Sequence, residues 1–290
     1  MFSKALFATD LSPASDAVLE YLKLLRPLGC KEIVLTYVLY VKHTVGLADV
    51  MRDEAAPRIE EQKRVLESEG FAVTVETPVG VPGPTIAWLA REKGCSLVVI
   101  GSHGHSMARE IALGGVATDV VHRSEVPVLV VRLEIVEEGE ATVCRVRSAD
   151  ILGHVLYATD FSDNAERAFL YVEKLVESGA EKITLLHVQD ASRISPYLEQ
   201  RLEEFGSIDR ARLERLRDRL KDLGAEQVDI EIPYGSPTKE IVDRIRDLCP
   251  SVVVMGMHGR GFIADIFMGS VSHNVVRYST APVLLVPPIR

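Results

Sequence analysis

The sequence has no excess of positive charge, no long apolar run and no closely spaced cysteines, and each absence removes a class of function. Formal net charge is −9 over 290 residues, so a general electrostatic grip on nucleic acid or anionic lipid is not expected. No apolar stretch reaches membrane-spanning length. The opening MFSKALFATDLS has one lysine and an apolar run too short for a signal peptide. Four cysteines (Cys30, Cys95, Cys144, Cys249) lie far apart in the chain, which fits reduced thiols in a cytoplasmic protein better than disulfides or a metal site. No metal-ligand spacing and no Ser/His/Asp or Cys/His set stands out. The single tryptophan, Trp88 in TIAWLA, is expected in the core.

What is present is a core-forming composition, 47% hydrophobic and 26% charged, in a length that suits two ordinary domains. The chain is also a duplication. KALFATDLSPASDAVLEYLKLLRPLGCKEIVLTYV aligns with HVLYATDFSDNAERAFLYVEKLVESGAEKITLLHV, so that Ala8, Thr9, Asp10 and Ser12 fall on Ala158, Thr159, Asp160 and Ser162. Gly80 then matches Gly235, SLVVIGSHGH matches SVVVMGMHGR, and EVPVLVV matches TAPVLLV. So long a period means tandem domains rather than a solenoid. Domains are expected at residues 1–136 and 150–290, with 137–149 as a linker rich in charge and broken by a glycine.

Each copy alternates strand and helix. KALFATD and EIVLTYV are short apolar runs of the kind that form buried strands. Between them, Ser12 caps a helix that Pro27 and Gly29 stop. Residues Tyr197 to Leu223 space their leucines as an amphipathic helix does, with an expected interruption at Gly206. QVDIEIPYG, SVVVMG and APVLLV supply further strands. Unbroken apolar strands separated by helices indicate α/β domains, each a doubly wound, five-stranded parallel sheet. In such sheets ligands settle beyond the C-terminal strand ends, where strand order reverses. Asp10 and Asp160 end the first strand of each copy, and a glycine pattern follows the fourth.

That pattern is GMHGRGFIADIFMGSVSHNVV in the second copy and GSHGHSMAREIALGGVATDVV in the first. Gly256 ends a strand, where a missing side chain admits a ligand to the backbone. Gly259 turns the loop. Gly269 and Ser270 precede a helical stretch, which puts their N–H groups at a helix start suited to phosphate. Ser270 then serves either a phosphate or its own helix as N-cap. No Gly-Lys-Ser/Thr follows, so this is not a Walker loop, and the dinucleotide fingerprint belongs after the first strand.

Gly256, Gly259, Gly269 and Ser270 form Gly-x2-Gly-x9-Gly-Ser, which resembles the ATP-binding signature of the universal stress protein family. The resemblance extends to ATDFS, LLHV, VVVMGMHG and APVLLV, and so to nearly the whole chain. It implies a Rossmann-like, adenine-nucleotide α-hydrolase-like fold and ATP, or AMP or ADP, as ligand, with or without Mg²⁺. Gly259, Gly269 and Ser270 would hold phosphates with the Val271 backbone nearby. Asp160, Val188 and Met255 would line the base and ribose end, with Gly256 against the ribose. It further implies pairing through the last strands, here an internal pseudo-dimer, with a homodimer open as a further assembly. In the first copy Asp10, Val38, Ile100, Gly101, Gly104 and Gly114 correspond, but Gly115 replaces the Ser/Thr. One hydroxyl donor is lost, on the order of 1–3 kcal/mol if it contacts a charged phosphate. The loop after Gly80 is also rewritten by Val81, Pro82, Gly83 and Pro84.

Several readings stay open at this stage. His258 and His103 contact phosphate or are structural; Arg260 faces phosphate or solvent. Asp160 and Asp10 hold Mg²⁺ through water, or bond a ribose or the following helix. The expected role is a nucleotide-dependent regulator or protective factor in a stress response, without metal or catalytic residues of its own. The alternatives are a slow nucleotide hydrolase or transferase using Asp160, a module in which glycines only shape turns, and sensing of another small molecule.

Overall fold

The computed structural model describes residues 2–40, 47–102, 113–138, 141–146, 150–194, 199–259 and 268–289. The chain divides into two compact units, Met1–Ala149 and Asp150–Ile289.

Unit 1 begins β1 (Lys4–Ala8), α1 (Pro13–Leu22), β2 (Glu32–Thr36), α2 (Leu47–Ser68) and β3 (Ala72–Glu76). It continues α3 (Pro82–Glu92), β4 (Leu97–Gly101), α4 (Gly115–Arg123) and β5 (Val128–Val131). The strands pair in parallel in the order β3-β2-β1-β4-β5. Central strands are buried, whereas the edge strand β3 (AVTVE) is partly exposed and its Glu76 pairs with Lys93.

The region expected to be a linker carries structure. β6 (Leu133–Glu138) pairs antiparallel with β7 (Ala141–Val146). Its charge and its glycine read as a break in the α/β rhythm, yet an antiparallel strand pair runs through it. Trp88 departs from expectation as well. It lies on α3 and is 51% exposed, while Ile86, Leu89 and Ala90 supply the buried face of that helix.

Unit 2 repeats the scheme with β8 (Val155–Ala158), α5 (Asp163–Glu177) and β9 (Lys182–Leu186). Short elements β10 (Gln189–Asp190) and α6 (Ala191–Ile194) lead to α7 (Leu202–Asp222) and β11 (Gln227–Glu231). β12 (Tyr234–Gly235), α8 (Pro237–Leu248), β13 (Val252–Gly256), α9 (Ser270–Tyr278) and β14 (Val283–Val286) complete it. The parallel order is β11-β9-β8-β13-β14. α7 runs through Gly206 without interruption, its buried Leu213 and Leu220 fixing one face. Tertiary packing outweighs the roughly 1 kcal/mol that a mid-helix glycine costs.

α5 shows how sequence sets an element. Ser162 Oγ accepts the Ala165 N–H at 3.2 Å, and Asp163 and Glu166 lie in the first turn, favourable to the helix dipole. Ala165, Ala168, Phe169, Val172 and Leu175 repeat at three- and four-residue spacing and are buried. Fully burying a Phe or Val side chain contributes about 1.5–3 kcal/mol. Gly179, at φ +108, ends the run.

Chain order thus proceeds outward from the central strand on one side and returns on the other. The reversal lies between β8 and β13 in unit 2, and between β1 and β4 in unit 1. In open α/β sheets ligands settle beyond the C-terminal ends of the strands at such a reversal.

Candidate functional site

In unit 2 the connection from β8 to α5 is a tight turn built by its own side chains. Thr159 Oγ1 accepts the Phe161 N–H at 3.0 Å, and Asp160 Oδ1 accepts the Ser162 N–H at 3.1 Å. Phe161 takes a left-handed φ of +58, as Leu11 does (+62) at the matching point of unit 1. Such a backbone costs on the order of 1–3 kcal/mol for a bulky residue. Phe161 is supported by the His187 ring, 4.4 Å away, and by the Arg212 guanidinium, 5.1 Å from its centroid. His187 Nδ1 donates to the Thr159 carbonyl at 2.8 Å, and its Nε2 stands 3.5 Å from Asp209 Oδ2 of α7.

The β13–α9 connection closes against this turn. Gly259 lies so near Asp160 that a β-carbon on it would stand 2.5 Å from Asp160 Oδ2. The Gly269 N–H donates to the Met257 carbonyl at 2.9 Å, which folds the start of α9 back onto the strand end. Ser272 Oγ donates to the Gly256 carbonyl at 2.8 Å and clamps the same junction. Gly269 is the N-cap of α9 and offers no capping oxygen; Ser270 is the first helical residue and is exposed. Of the two roles considered for the Ser270 hydroxyl, capping is therefore excluded. The first-turn N–H groups of α9 have no side-chain cap, which is the arrangement that receives an anion.

Gly256 has a reason other than the one its sequence suggests. It is buried, and a β-carbon there would come within 2.8 Å of Asn164 Oδ1. The absent side chain makes room for α5. Met255 is buried within β13, paired with Leu285; Val188 is buried just past β9; Val271 is half-buried in the first turn of α9. Since β9, β8 and β13 are neighbours, Val188, Asp160 and the Gly256–Gly259 segment follow adjacent strand ends.

Unit 1 has the same frame with other fittings. The Gly114 N–H donates to the Ser102 carbonyl at 3.0 Å, and Gly114 is an N-cap without a side-chain bond. Gly115 is exposed, and a β-carbon there would meet nothing within 4 Å. Asp10 Oδ1 accepts the Ser12 N–H at 3.1 Å, the Ser12 hydroxyl at 2.5 Å and the Ser15 hydroxyl at 2.6 Å. That oxygen is tied into its own turn, while unit 2 has Ala165 in place of Ser15. Val38 is half-buried, Ile100 is buried, and Gly101 closes β4. His103, Gly104, His105 and Arg260 lie outside the described residues.

Two differences between the units were missed by following glycines alone. Asn164 faces Ala14, and Ser272 faces Ala117, in the alignment of the halves. Both polar members of these pairs bond the β13–α9 junction. Among the described residues no group of three or more His, Cys, Asp or Glu side chains is placed to hold a metal, and no helix is long and apolar enough to cross a membrane.

The fold defines two tandem Rossmann-like α/β domains. The universal stress protein family matches residues 1–132 and 152–287. The chain belongs to that family. It is 29% identical over 155 residues to universal stress protein MJ0577 of Methanocaldococcus jannaschii, a match that covers 46% of this chain and 96% of that protein. A universal stress protein of Mycolicibacterium smegmatis is 24% identical across 98% of this chain and 96% of its own. The crystal structure of a universal stress protein from Archaeoglobus fulgidus superposes with a TM-score of 0.76 at 26% identity, covering 99% of both chains.

Proposed function

We propose that unit 2 binds an adenine nucleotide, ATP or its AMP or ADP forms, and that the chain acts as a nucleotide-dependent regulator or protective factor in the stress response. The observation that carries this reading is the meeting of Asp160, Gly259 and the uncapped start of α9 at the switch point of the sheet. The helix start suits phosphate, and the missing β-carbon of Gly259 lets the loop close onto the Asp160 carboxylate, while Gly269 packs against the Met257–Gly259 backbone. The Asp160 carboxylate, one strand away, suits ribose hydroxyls. Mg²⁺ would arrive with the phosphates, which bring its oxygen ligands.

The same residues argue against fast catalysis. Phosphoryl transfer depends on a positioned base and on cations about the transferred group. Asp160 Oδ1 is already engaged by the turn, where it accepts the Ser162 N–H. Unit 1 keeps the frame but lacks the Ser270 hydroxyl and the two junction bonds, so it is the weaker site. A cytoplasmic setting accords with the buried free thiols of Cys30 and Cys95.

Thermal unfolding of nucleotide-stripped protein tests the reading. ATP with Mg²⁺ should raise Tm in a concentration-dependent way, and Gly269→Val should abolish the rise. If ATP, ADP and AMP all leave Tm unchanged, the reading fails and an interaction module remains.

A further inference from the structure

Asn164 belongs to none of the glycine motifs, yet it bonds the ends of two strands. It sits in the first turn of α5, 8% exposed. Its Nδ2 donates to the Val286 carbonyl at 3.0 Å, and its Oδ1 accepts the His258 N–H at 2.8 Å. The two partners settle the orientation of the amide, since a flipped group would set donor against donor and acceptor against acceptor. Space for it exists only because residue 256 is glycine. A β-carbon at 256 would stand 2.8 Å from Oδ1, 3.0 Å from Cγ and 3.1 Å from the Asn164 carbonyl carbon, closer than packed atoms approach.

We propose that Asn164 is a positioning residue of the unit 2 site: it holds the His258–Gly259 backbone where Gly259 meets Asp160, and Gly256 is glycine to admit this amide. The inference rests on the reading of unit 2 as a nucleotide site. An amide suits the task because it supplies both a donor and an acceptor without adding charge beside phosphate. An aspartate would keep the acceptor toward His258 but turn an oxygen toward the Val286 carbonyl. Ala14 stands at the matching place in unit 1, so this tie is particular to unit 2.

Three measurements on the full chain decide it. Asn164→Ala should weaken ATP binding, followed by calorimetry, by about tenfold or more. Val172→Ala, which removes buried volume from the same helix, should lower Tm comparably and leave the affinity unchanged. In ligand-free protein the His258 amide should exchange slowly with solvent in the wild type and in Val172→Ala, and quickly in Asn164→Ala. Gly256→Ala should lower Tm more in the wild type than on the Asn164→Ala background. Equal affinity in the two α5 variants, unaltered His258 exchange, or an equal cost of Gly256→Ala on both backgrounds would each overturn the proposal. A wild-type chain that takes up no ATP would contradict the nucleotide reading instead, and His258 exchange would then decide alone whether Asn164 holds the loop.

Discussion

Gly259 rests against Asp160: the β-carbon that the glycine lacks would stand 2.5 Å from the carboxylate Oδ2. Asp160, in the β8–α5 turn two residues beyond the strand, and the second glycine of the signature are thus parts of one surface, although about a hundred positions separate them in the chain. Gly259→Ala should displace either the carboxylate or the loop. ATP affinity, measured by calorimetry, is expected to fall by about tenfold or more, corresponding to roughly 1.4 kcal/mol. Gly224→Ala serves as a control, since it closes no contact within 4 Å, although its φ of +105 will cost stability; its affinity should stay at the wild-type value.

Ser272 should matter for both stability and binding. Its hydroxyl is buried and bonds the Gly256 carbonyl at 2.8 Å. Ser272→Ala leaves that buried acceptor without this donor, a loss of about 1–3 kcal/mol by urea denaturation. The matching alanine in unit 1, Ala117, predicts no comparable loss for Ala117→Ser's reversal of roles: the serine there should not by itself restore a site.

Gly115→Ser completes the glycine signature of unit 1. The added atoms meet open space, so stability should change by no more than about 0.5 kcal/mol. Because Ala14 and Ala117 still leave the junction without its two polar ties, nucleotide stoichiometry is expected to remain at the wild-type value. A second full-strength site in this variant would show that the hydroxyl alone separates the two units.

Acid should unfold the chain partly through His154. The ring is buried, its Nε2 lies 2.9 Å from Thr184 Oγ1, and its pKa is lowered from 6.5, chiefly by burial and then by the charge of Lys182. The folded state keeps the ring neutral, while the unfolded chain takes up a proton near pH 6.5. The contribution to stability is therefore complete above that pH and is lost as pH falls through the lowered folded value. Within that window the slope approaches about 1.4 kcal/mol per pH unit. Urea denaturation of His154→Gln at a series of pH values should show a shallower fall than wild type between pH 6.5 and pH 5.

Most of the framework was legible because it repeats. The duplication, the parallel strands and the reversal point follow from apolar runs and from matched residues such as Asp10 and Asp160. What escaped depends on contacts between distant segments. Gly256 looks like a glycine cleared for a ligand until Asn164 is seen in the space. Ser270 looks like a cap until Gly269 takes that position. Trp88 is exposed because its neighbours on α3, not its own size, decide which face turns inward. The β6–β7 pair was hidden by charge that reads equally as linker. Asn164 against Ala14 and Ser272 against Ala117 were visible in the aligned halves, but nothing in the glycine pattern gives those positions weight. Their meaning comes from the hydrogen bonds they make.

Calorimetric titration of nucleotide-stripped protein with Mg²⁺ and ATP tests the central claim most directly, through the number of sites per chain. One site, weakened by about tenfold or more in Gly259→Ala and unchanged in Asp10→Asn, is the predicted result. No binding heat, or two equivalent sites, would contradict it.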